Sequence, residues 1–183
     1  NLRKYLQVMT KPLAVRSSGL FEDSLNQPFA GVYSTYLLPN NHPDIERRLE
    51  DVENAIKLVF ASIYSPESRA YFNAIDYMIE EEKMAVIIQE VIGNEHNGRY
   101  YPEISGVAQS YNFYPFSYIQ PEDGFAVTAI GLGAYVVGEK THRFSPAYPK
   151  LQLASTQDKI KASQRYFYGV NMLAQDYDLY RDG

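Results

Sequence analysis

The sequence predicts an α+β fold, with a mixed but largely antiparallel sheet flanked by helices. Three observations carry that expectation. One segment repeats apolar residues at helical spacing, several short runs are β-branched or aromatic, and the two kinds mix irregularly instead of alternating as βαβ units.

Each element follows from its residues. Asn1 to Met9 reads as the end of a helix, closed by Pro12. Leu13-Ala14-Val15 reads as a brief buried strand that runs into Arg16-Ser17-Ser18-Gly19. Asp23 to Pro28 is polar and loop-like, and Val32 to Leu38 has strand composition. The clearest helix starts at Pro43, placed at the first helical position, and runs to Ser62. Asp44 and Glu46 complement its positive N-terminal end. Ile45, Leu49, Val52, Ile56, Val59, Phe60 and Ile63 make one apolar stripe. A second helix starts at Pro66, with Tyr71, Phe72 and Ile75 inward.

Glu80-Glu81-Glu82-Lys83 reads as a solvated turn. Met84 to Ile92 is the strongest strand signal, apolar on both faces at its start and therefore expected at the centre of the sheet. Gly93 to Arg99 reads as a loop. Ile104 to Ser110 and Phe125 to Ile130 read as strands, and Thr156 to Tyr168 as a last helix with Ile160 and Phe167 inward.

The bulk numbers narrow the function. Of 183 residues, 45% are hydrophobic and 21% charged, as in a soluble globular chain. A formal charge of −5 argues against a general nucleic-acid binder but allows a local anion site. The chain has no Cys, which excludes disulfides, thiolate metal sites and a thiol nucleophile, and fits a reducing cytoplasm. No apolar run is long enough to span a bilayer. The chain opens at Asn1 without Met and ends at Asp182-Gly183, so residues 1–183 read as a fragment. If it has two lobes, their boundary is expected near 80–84.

Three segments could carry chemistry. Arg16, at a strand end beside two hydroxyls and a glycine, suits bidentate contact with phosphate oxygens. Alone, it reads more readily as a surface or ion-pair residue. Gln89-Glu90-Val91-Ile92-Gly93-Asn94 could offer backbone groups to an adenine edge and a carboxylate to ribose hydroxyls, or could simply be a strand ending in a Gly-Asn turn. Gly131-Leu132-Gly133 lacks the third glycine and the βαβ setting of a dinucleotide fingerprint, so that reading is rejected.

Taken in order, the segments say more. Val15-Arg16-Ser17-Ser18, Glu22-Asp23 and Phe29-Ala30-Gly31 are followed by Ile88-Gln89-Glu90-Val91-Ile92-Gly93-Asn94, Ser105-Gly106-Val107 and the run Gly131 to Gly138. This order and spacing, over residues 13 to 138, resembles the ATP-binding region of the phosphoenolpyruvate synthase and pyruvate phosphate dikinase family. The resemblance implies an ATP-grasp-like fold that transfers a phosphoryl group from ATP to a histidine on another domain, and then to pyruvate. It implies Arg16 as catalytic residue on the ATP phosphates, with Ser17 beside it. It implies Gln89, Glu90, Val91 and Ile92 around adenine and ribose, and Gly131 and Gly133 near the triphosphate. ATP and Mg²⁺ are the implied ligands, in a cytoplasmic protein that could assemble as a homo-oligomer and whose phosphohistidine and pyruvate domains lie elsewhere.

The resemblance has three departures. The family's Gly- and Lys-containing segment, which lies upstream of the matched region, has no match here. None of His42, His96 and His142 has the family's Thr-Ser-His setting. Ala134 stands where the family carries a metal-binding Glu, which leaves Glu139, Glu122 and Asp123 as substitute ligands. The aromatic run Tyr111 to Tyr118 also departs from the family pattern. The alternative implied by these departures is a diverged, non-catalytic nucleotide- or partner-binding module, or a related phosphotransferase with another acceptor.

Overall fold

The computed structural model describes residues 1–20, 22, 31–75, 78–115, 117–133, 142–151, 155–173 and 178–179. The chain divides into two compact units. The first holds Asn1–Val91, Asn97–Arg99 and Val170–Gly183, and the second holds Ile92–His96 and Tyr100–Gly169. The chain thus first leaves the first unit after Val91, beyond the 80–84 segment. All the registered strand pairs in both units are antiparallel, as expected of an α+β chain.

In the first unit, helix α1 (Leu2–Val8) leads into strand β1 (Leu13–Gly19), which lies between β2 (Thr35–Leu38) and β3 (Met84–Glu90). The central strand is therefore β1, and β3 is an edge among the described residues. An apolar run shows which strand is covered on its faces, but not which has a neighbour on each side. The edge of β3 is partly closed from α1, where the Tyr5 hydroxyl donates to the Ile88 carbonyl at 3.5 Å.

Side chains alternate across these strands. Leu13 and Val15 of β1 face inward with Leu38 of β2 and with Val86 and Ile88 of β3. Helix α2 (Ile45–Ala61) covers that face with Val52, Ala55 and Val59, at spacings of three and four residues. Burying each large aliphatic side chain contributes about 1.5–3 kcal/mol. Phe60 is 43% exposed and drops out of the expected stripe. The helix starts two residues later than expected. Asp44 is the N-cap, its carboxylate accepting from the Glu46 N–H at 2.9 Å, and Pro43 precedes it. Helix α3 (Pro66–Ile75) buries Phe72 against Tyr33 in a second, smaller cluster. The expected strand over Val32–Leu38 begins only at Thr35, because Ser34 and Tyr33 are used elsewhere: the Ser34 N–H donates to the Ser62 hydroxyl at 3.1 Å, and Tyr33 packs on Phe72.

The segment expected as a loop over Gly93–Arg99 contains β4 (Asn94–His96) and the start of β5 (Arg99–Tyr101). Between them, Asn97 and Gly98 have φ of 50° and 75°, the two positive angles that a type I′ hairpin turn requires.

In the second unit, β7 (Phe125–Ile130) lies between β6 (Ile104–Gln109) and β8 (His142–Phe144). Helix α4 (Thr156–Ala162) ends earlier than the expected Tyr168. The Ser163 hydroxyl closes on the Ile160 carbonyl at 2.7 Å, and the next residue, Gln164, reaches across to β7. Ile160 is 63% exposed and Phe167 is also exposed, so neither is the inward anchor the helical pattern suggested. Back in the first unit, β9 (Val170–Asn171) is followed by Met172, whose N–H donates to the Gly98 carbonyl at 2.9 Å. No helix among the described residues is long and apolar enough to cross a membrane.

Candidate functional site

Alternation along β1 sends Leu13, Val15, Ser17 and Gly19 to the core face, and Ala14, Arg16 and Ser18 to the open one. The β3 residues opposite the latter are Gln89, Ile87 and Ala85. Arg16 is exposed on this open face, and its Nε donates to Gln89 Oε1 at 3.3 Å, across 73 residues of sequence. The terminal guanidinium nitrogens have no partner among the described residues. They present the planar fork that binds carboxylate or phosphate oxygens.

Gln89 and Glu90 were expected together around one ligand, but consecutive strand residues point to opposite faces. Glu90 lies opposite Leu13, on the core side, and its carboxylate pairs with the Lys11 ammonium at 2.8 Å. The Val91 N–H donates to the Pro12 carbonyl at 2.8 Å, so it extends the ladder with β1. That bond fixes the phase of the strand. Gln89 and Val91 turn their backbone groups toward β1, and Ile88 and Glu90 turn theirs toward the edge. Ile92 belongs to the second unit and is 74% exposed.

Ser17 is buried, and its hydroxyl donates to Glu22 Oε1 at 2.8 Å. The other Glu22 oxygen accepts from the Gly19 N–H at 2.6 Å. Glu82 acts in the same region. Its Oε1 accepts from the Leu20 N–H at 2.7 Å, and its Oε2 from the Tyr33 hydroxyl at 2.5 Å. Burial, then the hydrogen bond and charge of Glu82 and the charge of Glu22, hold the Tyr33 phenol well above its ordinary value. Glu82 corrects the reading of residues 80–83 as a solvated turn. One carboxylate in that run organises the exit of β1, and its neighbours in sequence do not mark it out. Lys11 and Tyr33 likewise carried no signal in the sequence.

The remaining candidates lie in the second unit. Gly131 has φ of 77°, and a Cβ there would come within 2.7 Å of Phe167 Cδ2. Its N–H donates to the Glu103 carbonyl at 3.4 Å, and its carbonyl accepts from the Ser105 hydroxyl at 2.6 Å. Gly131 therefore meets a conformational need of the turn. Gly133 is exposed, and the run from Ala134 to Thr141, with Glu139, lies outside the described residues. The Asp123 carboxylate accepts from the Gln120 N–H at 2.8 Å and holds its own turn, with Glu122 exposed beside it. Among the described residues no three His, Asp or Glu side chains come together to hold a metal ion.

Comparison with known proteins gives the chain a family. The family model described as the pyruvate phosphate dikinase AMP/ATP-binding domain matches residues 1–175 of this chain. The chain is also 28% identical over 129 residues to the phosphoenolpyruvate synthase of Aeropyrum pernix. That alignment takes in 70% of this chain and 13% of the relative, so the chain spans a small part of the relative's length. Since the match to the family model runs through the β1 strand end, the β3 edge and the Gly131 turn alike, this chain belongs to the pyruvate phosphate dikinase AMP/ATP-binding domain family.

Proposed function

We propose that this chain is the ATP-binding part of a phosphotransferase of the phosphoenolpyruvate synthase type, with an ATP-grasp-like fold. In this reading the protein passes a phosphoryl group from ATP to a histidine on another domain, and from there to pyruvate. The observation that carries the reading is Arg16, exposed on the open sheet face with its Nε on Gln89 and its terminal nitrogens directed to no protein partner among the described residues. Arg16 holds phosphate oxygens, and Gln89 steers the guanidinium. The outward backbone groups of Glu90 and the strand exit through Val91 and Ile92 frame the adenine and ribose. Catalysis by such a part is positioning and charge neutralisation. Glu122, Asp123 and Glu139 stay candidates for a metal-ligand set only with residues beyond those described.

Calorimetry with ATP tests the reading. Arg16→Ala should lower affinity by about 10- to 100-fold, the range for losing a charge-assisted pair of hydrogen bonds. An unchanged affinity would sink it. In the full-length protein, ATP should label a histidine, and Arg16→Ala should abolish that label.

A second reading is favoured by Ala134, which offers no oxygen ligand where the family carries Glu. The chain would then be a non-catalytic nucleotide- or partner-binding module. ATP binding that is equal with and without Mg²⁺, and that gains metal dependence in Ala134→Glu, would favour this second reading over the first.

A further inference from the structure

The support of β1 changes along its length. From Leu13 to Arg16 the strand has β2 on one side and β3 on the other. The β2 ladder stops at the Arg16–Thr35 pair, whereas β3 continues to Met84 opposite Gly19. Beyond Arg16, the backbone donors on the β2 side need other acceptors. The Glu22 carboxylate takes the Gly19 N–H at 2.6 Å, in place of a β2 carbonyl.

Glu82 does something different, because it joins separate pieces of chain. Leu20 and Tyr33 stand at the two ends of the segment between β1 and β2, and one carboxylate binds both. Gly19 is what permits the approach. A Cβ at that position would lie 3.1 Å from both Glu82 oxygens and 3.1 Å from the Tyr33 ring. The Leu20 N–H also reaches the Lys83 carbonyl at 3.1 Å, so the carboxylate sits where β1 and β3 come to their common end.

We propose that Glu82 is a positioning residue for Arg16: by holding the Leu20 N–H and the Tyr33 hydroxyl together, it fixes the exit of β1 and keeps the guanidinium on the open face beside Gln89. This inference rests on the reading of Arg16 as the phosphate-binding group. A strand that frays from Gly19 backward would turn Arg16 away for part of the time. Apparent affinity then falls by the fraction of chains left competent.

A double-mutant comparison in the 183-residue chain tests it, with ATP affinity by calorimetry and thermal stability measured side by side. Glu82→Gln is expected to weaken ATP about 10-fold at a temperature where it is fully folded. In an Arg16→Ala background the same change should weaken ATP by less than about 2-fold, since there is no guanidinium left to place. Tyr33→Phe removes one of the two bonds and is expected to weaken ATP about 3-fold; it carries the test if Glu82→Gln does not fold. Lower stability with unchanged affinity would overturn the inference. So would an equal loss in both backgrounds. Failure of the site reading is separately visible, because wild type would then not bind ATP or would match Arg16→Ala, and the inference would fall with it.

Discussion

Two strand ends in this molecule meet the same difficulty and answer it with different chemistry. At the exit of β1, the β2 ladder stops at Arg16 and the charged carboxylates of Glu22 and Glu82 take the N–H groups of Gly19 and Leu20. At the exit of β7, the β8 register covers Ala126–Thr128 among the described residues, and a neutral amide serves the end of the strand. Gln164 Oε1 accepts from the Ile130 N–H at 2.8 Å, and Gln164 Nε2 donates to the Ile130 carbonyl at 2.8 Å. A single side chain there makes both hydrogen bonds that a neighbouring strand residue would make. The amide can serve a donor and an acceptor at once, whereas an ionised carboxylate only accepts. The carboxylates bring something the amide cannot, a full negative charge.

The largest expected effect separates the two glycines. Gly131→Ala should destabilise the second unit by about 2–4 kcal/mol, since it forces a side chain into positive φ and against the Phe167 ring. Gly19→Ala should cost about 1 kcal/mol, because its new Cβ meets the Glu82 oxygens and the Tyr33 ring at 3.1 Å, which a shift of a few tenths of an ångström relieves, and no positive φ is involved. Urea unfolding of both variants, followed by probes in each unit, checks the ranking. Equal losses would mean that the carboxylate cannot yield.

The next effect sharpens the difference in charge. Tyr33→Phe should cost about 1–2 kcal/mol at neutral pH by removing the bond to Glu82. The phenol value is raised in the folded chain, so the stability it contributes is whole below pH 10.0, its ordinary value, and is lost as pH rises beyond it. There the unfolded chain ionises at Tyr33 while the folded chain resists. The gap between wild type and Tyr33→Phe should therefore narrow above that pH, and a constant gap would contradict the linkage. The smallest effect belongs to Gln164→Ala, about 1 kcal/mol, and its gap from wild type should stay flat with pH because no titrating group is lost.

The same contrast explains what could be read from the sequence. Helix α2 was legible because Leu49, Val52, Ile56 and Val59 repeat at helical spacing, and β1, β6 and β7 because their apolar runs are short. Arg16 was legible as a candidate through its hydroxyl and glycine neighbours. Its contact with Gln89 was not, because the register that joins residues 73 apart appears in neither segment. The end of α4 was misplaced for a related reason. Gln164 is a good helix former, but the bonds it makes to a strand 34 residues away outweigh its propensity. Glu82 was hidden among four charged residues, any of which could have been the one turned inward. Side chains that stand in for missing strands are recruited from a distance, and periodicity reports only on near neighbours.

The choice of an amide at position 89 has a consequence for how a charged ligand would find this face. The chain as a whole carries a formal charge of −5, so its average field repels anions. Beside Arg16 the hydrogen-bonding neighbour is the uncharged Gln89, and the carboxylate of Glu90, one residue on, faces the other way toward Lys11. The pleat of one strand thus keeps a negative group and a positive one on opposite sides of a single sheet. The guanidinium is oriented without being neutralised, and its field remains a local attractor on an otherwise acidic protein, weakened by added salt as any exposed charge would be.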